Sequence, residues 1–362
     1  MNIAIVELRE SHEECIYTQL RFLKEAGHRV TLILNSVLER QVADYAHQAD
    51  EVRYFEMSRS GLFHKIGRQR QLFGILKKFD KLVLNTAHSY SVLRNLTVLL
   101  RFSKTECIGV LHDTKKLQGS LTQRIISQKV KKYFVLNDTL LPENQTENRT
   151  ENNQPKENID RDIKLQSFYP IFFPDYEPVP VYKQQEIWIG IPGRLDYRRR
   201  NYDFLVDALI KIPNLKRVRF LILGKVDRDS PAGFRFYKSL EDAGQLKRFK
   251  LFHSFVDNAD FHSYLKACDY IMPMLHTDEA YFRYKISGAF NLAFAYKKPL
   301  VCHKSFKNIP DLRDNSLFFD PESFPALIEA IDAGTVESPA TYTDEKWGYR
   351  FQQGRYLDFI NE

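Results

Sequence analysis

The chain has 362 residues, 43% hydrophobic and 27% charged, which excludes wholesale disorder and collagen-like repeats and leaves room for two domains with their own cores. No apolar run approaches the ~20 residues of a membrane-spanning helix. A net charge of +7 points to a polyanionic partner; of nucleic acid, anionic lipid and phosphorylated small molecules, nucleic acid fits least, because no zinc-finger spacing, ribonucleoprotein signature or basic zipper is present.

The opening run Asn2–Val6 reads as a short apolar strand with no signal-peptide features before it. Cys15, Cys107, Cys268 and Cys302 are widely spaced and form no CxxC pair, so a cytoplasmic, reducing location is expected. Ser11-His12-Glu13-Glu14 has the spacing of a capping box. Ile16, Leu20 and Leu23 then follow helical spacing, and Gly27 ends the helix. Further strands are expected at Arg29–Leu34, Val52–Phe55, Lys81–Leu84, Cys107–Leu111 and Tyr133–Leu136, with helices between them. Strand, crossover helix and strand at this spacing predict a parallel sheet covered on both faces.

From Pro142 to Asp162 the pattern collapses into a polar stretch expected to be a mobile surface loop. Phe168–Pro180 carries four prolines among aromatics and reads as a semi-rigid connection, 168–186, between domains. A second series follows, with strands at Ile187–Ile191, Val218–Leu223, Lys250–Phe252, Asp269–Met274 and Leu300–His303. Its helices are expected at Tyr202–Ile212, Phe234–Gln245, Asp260–Ala267, Ser287–Tyr296 and Phe324–Ala333. The tail, Lys346–Ile360, is an aromatic-rich helix. The expected division is residues 1–180, residues 187–340, and a terminal segment 341–362 that crosses back to the first domain. Between Ile191 and Lys250 there are fifteen Lys and Arg against seven Asp and Glu, so the surplus charge lies in the second half.

These residues carry a family resemblance. Ile191-Pro192-Gly193-Arg194-Leu195, followed by Arg199-Arg200-Asn201-Tyr202, resembles the opening of the C-terminal domain of GT-B glycosyltransferases, in the large, mostly retaining group (glycosyltransferase family 4-like). Phe220-Leu221-Ile222-Leu223-Gly224 resembles that group's next strand and glycine. Ser287-Gly288-Ala289-Phe290, ending at Lys298-Pro299-Leu300-Val301, resembles its nucleotide-binding helix and following strand. Asn315–Pro321 resembles its ribose-side turn, and Gly27-His28-Arg29-Val30 with the loops at His88 and His112-Asp113 resembles its acceptor domain. The resemblance implies an α/β fold of the GT-B kind: two doubly wound, Rossmann-like parallel-sheet domains facing a central cleft. It implies an enzyme moving a sugar from a UDP- or GDP-linked donor to a glycan or lipid-linked acceptor in surface polysaccharide or glycoconjugate biosynthesis.

The chemistry explains the residue types. Sugar transfer from a nucleoside diphosphate develops negative charge on the departing β-phosphate, which cations and helix N-terminal amides stabilise. By resemblance Arg194 and Arg199 take the places of the diphosphate-binding pair. Gly193, Ser287, Gly288, Glu279 and Asp320 fall on the donor side, His112 lies near the reacting sugar, and His12, Glu13 and His88 face the acceptor. On this reading the local cations neutralise the diphosphate as a divalent ion does elsewhere, so no metal and no other cofactor is expected. The places of two glutamates common in relatives hold Tyr284 and Leu292, which leaves a catalytically inactive accessory or binding subunit as the alternative, and a sugar-nucleotide epimerase as a weaker one. Finally, Arg59–Lys78 has six Lys and Arg and no acid, interleaved with Leu62, Phe63, Ile66, Leu72, Phe73, Ile75 and Leu76. That pattern predicts a basic amphipathic helix lying on the anionic inner face of the plasma membrane.

Overall fold

A computed structural model describes residues 1–57, 62–88, 90–142, 162–277, 283–339 and 342–362. Packing divides the chain into two units. The first holds Met1–Pro174, Arg283–Ile286 and Glu345–Glu362; the second holds Asp175–Phe282 and Ser287–Asp344.

In the first unit the strands are β1 Asn2–Glu7, β2 Arg29–Asn35, β3 Glu51–Phe55, β4 Lys81–Leu84, β5 Glu106–Leu111, β6 Val130–Val135 and β7 Lys164–Ser167. They form one sheet in the order β3-β2-β1-β4-β5-β6-β7. Pairing is parallel, with Ile5 opposite Leu32 on one side and Val83 on the other. β1, β2, β4 and β5 are buried along nearly their whole length, because helices cover both faces. One face carries α1 Ile16–Glu25 and α2 Glu39–Ala46, joined by the terminal helix α12 Tyr349–Asn361, whose Tyr356, Phe359 and Ile360 enter the same core. The other face packs against α3 Leu62–Leu76, α4 Ser91–Leu100 and α5 Leu121–Ser127.

The second unit has β8 Ile187–Pro192, β9 Val218–Lys225, β10 Phe249–Phe252, β11 Tyr270–Ile271, β12 Leu300–His303 and β13 Ser316–Phe319, in the order β10-β9-β8-β11-β12-β13. Its helices are α6 Tyr202–Ile210, α7 Pro231–Asp242, α8 Asn258–Ala267, α9 Gly288–Tyr296, the short α10 Pro310–Arg313 and α11 Phe324–Ala333. Each unit is therefore doubly wound. Strand order reverses at β1/β4 in the first and at β8/β11 in the second, and the carboxyl ends of those strands are where ligands bind in such sheets.

Several expectations are corrected. Ser11 does not cap a helix. A short 3₁₀ turn, Glu13–Cys15, precedes α1, and His12 stands before it in the left-handed region (φ 77°) with no side-chain cap bond. The His12 carbonyl is held instead by the Asn85 carboxamide, and that left-handed turn breaks the capping-box geometry. The strand expected over Asp269–Met274 shortens to Tyr270–Ile271, since Pro273 has no N–H to give and Met274 turns away at φ 57°. The helix expected from Phe234 starts earlier, at Pro231, where the Ser230 hydroxyl accepts from Gly233 N. Phe168 and Tyr169, read as part of a connection, are fully buried, and Phe168 belongs to the first core. Most of the expected mobile loop, residues 143–161, lies outside the described residues.

Candidate active site

The first cluster sits at the β1/β4 switch point. Glu7 ends β1 and Asn85 follows β4; both are fully buried. Glu7 accepts from Arg9 N (2.8 Å), from Asn85 Nδ2 (2.8 Å) and from the Thr86 hydroxyl (2.6 Å). Burial pushes its carboxyl up, and those three hydrogen bonds oppose the rise. Asn85 Nδ2 also donates to the His12 carbonyl (2.8 Å), while Asn85 Oδ1 accepts from Gln19 Nε2 (2.7 Å). The main-chain carbonyl of Asn85 receives His112 Nε2 at 2.8 Å.

The structure brings His12, His88 and His112 together. The His12 and His112 rings stack at 3.6 Å between centroids and 21° between planes, and His88 meets His112 edge-on at 6.5 Å. Burial, followed by the charge of His12, drives His112 down to about 3. Burial and then Arg9 drive His88 down to about 4. Burial also opposes charge on His12, but its contact with Glu14 (3.5 Å) and the charges of Glu14, Glu7 and Glu13 move it upward. Glu13 is raised by burial and by the neighbouring Glu14 charge. Asp113 caps the turn after β5 through Lys115 N and lies 3.4 Å from Lys285 Nζ. The cluster thus offers one neutral imidazole and one with a raised pKa, face to face.

The second cluster follows β8. Gly193 adopts φ 107°, and its carbonyl lies where a Cβ on Gly224 would be. This close approach of two strand ends requires glycine at both positions. Arg194 is exposed, and among the described residues its guanidinium has no hydrogen bond or ion pair. Arg198 grips Asp196 with both Nε and Nη2 at 3.2 Å, and Arg199, 71% exposed, is only loosely paired with it at 3.9 Å. Arg200 is buried: it donates to the carbonyls of Pro192 and Arg194 and to the Tyr202 hydroxyl, clamping the turn shut.

Ser287 caps α9 through Ala289 N (3.3 Å), and Gly288 stands exposed at the first helical position with open space where a Cβ would be. Asp320 is held well below the usual carboxylate range by Lys304 at 2.8 Å and by Ser323 N at 2.8 Å. Its carboxylate is therefore already engaged in the turn before α11. Glu279 lies outside the described residues. Among the described residues no group of three His, Cys, Asp or Glu is placed to hold a metal ion.

Sequence reasoning missed Glu7, Asn85, Gln19 and Arg200. A signal existed for the first two, since each is a polar residue closing an otherwise apolar strand. Arg200 was hidden inside a run of three arginines.

Two Rossmann-like parallel-sheet units with ligand-type switch points define the GT-B fold. Residues 186–333, most of the second unit, match the model of the family Glycosyl transferases group 1. Over the whole chain the fold is similar to that of Anabaena HepE solved in complex with UDP (13% identity, covering 100% of this chain and 95% of that one, TM-score 0.61). It is also similar to a glycosyltransferase from Rickettsia africae (15%, 99% and 94%, 0.61) and to UDP-GlcNAc 2-epimerase from Methanocaldococcus jannaschii (10%, 100% and 99%, 0.61). No curated protein sequence matches the chain.

Proposed function

We propose that the protein is a glycosyltransferase that moves a sugar from a nucleoside-diphosphate donor to a glycan or lipid-linked acceptor, in surface polysaccharide or glycoconjugate biosynthesis. The observation that carries this reading is the unpaired Arg194 guanidinium just beyond β8, at a switch point inside the segment that matches the family model. The bond from the sugar's anomeric carbon to the diphosphate breaks with its electron pair on the phosphate oxygen. Arg194 and Arg199 neutralise that oxygen, and the free amides at Ser287-Gly288 receive another phosphate oxygen. Two arginines and a helix N-terminus supply the charge that a divalent ion supplies elsewhere, so the proposed reaction runs without metal. The acceptor oxygen, on the His12, Glu13 and His88 side, bonds to the anomeric carbon, and its proton passes to the departing diphosphate.

The donor is UDP- or GDP-linked on this reading, since HepE was solved with UDP. The test is release of nucleoside diphosphate from a panel of sugar nucleotides, with and without glycan or lipid-phosphate acceptors. Turnover with any donor supports transfer. Tyr284 and Leu292 at the expected glutamate places favour the second reading, an accessory subunit, which predicts nucleotide binding with no turnover. Interconversion of a sugar nucleotide without any acceptor would instead indicate an epimerase.

Peripheral attachment to an anionic membrane on the cytoplasmic side belongs to the same proposal. No described helix is long and apolar enough to cross a membrane. Among the described side chains of α3, Leu72 and Leu76 are buried in the core and Phe73 and Ile75 pack against it. What remains is charge. The three adjacent helices α3, α4 and α5 with their flanking turns (62–78, 91–105, 114–129) contain twelve Lys and Arg and no Asp or Glu. Ile66, Val98, Phe102 and Leu121 are exposed among them. Attachment on this account is electrostatic, with a few apolar side chains added.

A further inference from the structure

We propose that Asn85 is a positioning residue, whose main-chain carbonyl fixes His112 as the Nε2–H tautomer and whose carboxamide holds the left-handed His12 stacked over it, so that His112 presents the Nδ1 lone pair to a sugar hydroxyl. A carbonyl only accepts, so the 2.8 Å contact to Asn85 O requires the proton on Nε2. In the neutral ring Nδ1 is then an acceptor, and among the described residues it has no partner. Burial keeps the ring neutral, at about 3.

The orientation of Asn85 is itself determined. Its Oδ1 faces the donor Gln19 Nε2, and its Nδ2 faces two acceptors, Glu7 Oε2 and the His12 carbonyl. Swapping the amide would set like against like at all three contacts. Gln19 is fixed in turn, since its Oε1 accepts from the Tyr356 hydroxyl of α12 (3.2 Å) and its Nε2 also donates to the Cys15 carbonyl. The network thus runs from the terminal helix through α1 and the end of β4 to the two histidines. Glu7 is an acceptor in all of its contacts, which makes it the anionic end of the chain and a nearby counter-charge to His12. The charged and titratable groups facing the pair are Glu7, Glu13 and Glu14 from β1 and its loop and His88 from the β4 loop, and His88 in turn faces Arg9, Asp113 and Lys116. The carboxylates favour the cation on His12, and the His12 cation disfavours a second one on His112.

This inference uses the transferase reading for the identity of the hydroxyl, but the tautomer stands without it. The experiment is long-range ¹H–¹⁵N spectroscopy of the full chain labelled with ¹⁵N-histidine, in which the His112 signals among ten histidines are identified by their loss in His112→Gln. The expected result is a neutral Nε2–H ring from pH 8 to pH 5. Asn85→Ala keeps the main-chain carbonyl, and with it the Nε2–H tautomer, but frees the His12 turn; it should raise the His112 titration midpoint by at least one unit and lower kcat about tenfold or more with the donor KM unchanged. If Asn85→Ala does not fold, Gln19→Met removes one clamp on Asn85 and should move the His112 signals the same way. An Nδ1–H ring in the wild type, a midpoint near its ordinary value, or variants with unchanged His112 midpoint and kcat would overturn the proposal. The predicted tautomer in a protein that turns over no sugar nucleotide would retain the positioning role and remove the transferase reading.

Discussion

Arg199 and Arg200 are adjacent, yet one guanidinium is 71% exposed and the other is buried against three oxygens. Removing Arg200 leaves the carbonyls of Pro192 and Arg194 without their donor, and hydrogen bonds to charged groups are worth about 1.5–3 kcal/mol each. Arg200→Ala is therefore expected to cost about 3 kcal/mol of stability or more, read as a fall in the midpoint of urea unfolding. Arg199→Ala should leave that midpoint in place and lower turnover by the equivalent of about 2–4 kcal/mol in barrier. Arg198→Ala, whose side chain is 91% exposed and tied to Asp196, should change neither by much. Equal losses of turnover at Arg198 and Arg199 would instead indicate a generic basic face.

Histidine titration gives a second prediction at this scale. His262 is 5% exposed, stacks on Tyr176 at 4.3 Å, places Nδ1 2.5 Å from the Tyr296 hydroxyl, and is driven down to about 3 by burial and then Lys266. A histidine depressed in the folded state contributes its full stability above its unfolded pKa of about 6.5 and loses it as pH falls toward the folded value. The slope is about 1.4 kcal/mol per pH unit for each such group. His112 and His88 act in the same direction, while His12, Glu13 and Glu7, all shifted upward, oppose them. In urea unfolding at pH 7, 6 and 5, His262→Phe should lose less stability than the wild type as pH falls, by one group's slope. A His262→Phe curve parallel to that of the wild type would contradict the assignment.

At the scale of elements, α12 is a structural part of the first unit. Tyr356 is fully buried, stacks on Phe134 at 4.5 Å and donates to Gln19. Tyr356→Phe should cost about 1 kcal/mol through the lost hydrogen bond, whereas deletion from Glu345 onward strips the core of β1 and β6 and should abolish cooperative unfolding of that unit. The basic layer α3–α5 supplies the other prediction. Co-sedimentation with anionic vesicles should fall as salt rises, and should fall further when the exposed Arg70, Lys77 and Arg101 are changed to Glu. Equal sedimentation of wild type and this triple variant would show a face that is merely solvated. Nearly continuous apolar runs such as Asn2–Val6 and Val218–Leu223 were readable as strands because a sheet covered on both faces needs them. β7 was not readable, since its Lys-Leu-Gln-Ser lies at a sheet edge where neither apolar continuity nor alternation is required. The His12 turn was unreadable for a different reason. Its geometry is set by Asn85, which lies 73 residues away in sequence.

At the scale of the whole molecule, the ordered motifs of the second half make the GT-B resemblance legible in the sequence. The candidate site was only partly legible: Arg194 and the histidines could be named, while the buried groups that hold them could not. The central claim is that the second unit carries a nucleoside-diphosphate site made from Arg194, Arg199 and the start of α9. Its most direct test is thermal unfolding of the full chain with UDP or GDP in the presence of EDTA. A ligand that binds only the folded state at a hundred times its Kd adds about 2.7 kcal/mol, so the midpoint should rise by several degrees without metal. The rise should shrink in Arg194→Ala. No shift with either nucleotide at millimolar concentration, with or without added magnesium, would contradict the account.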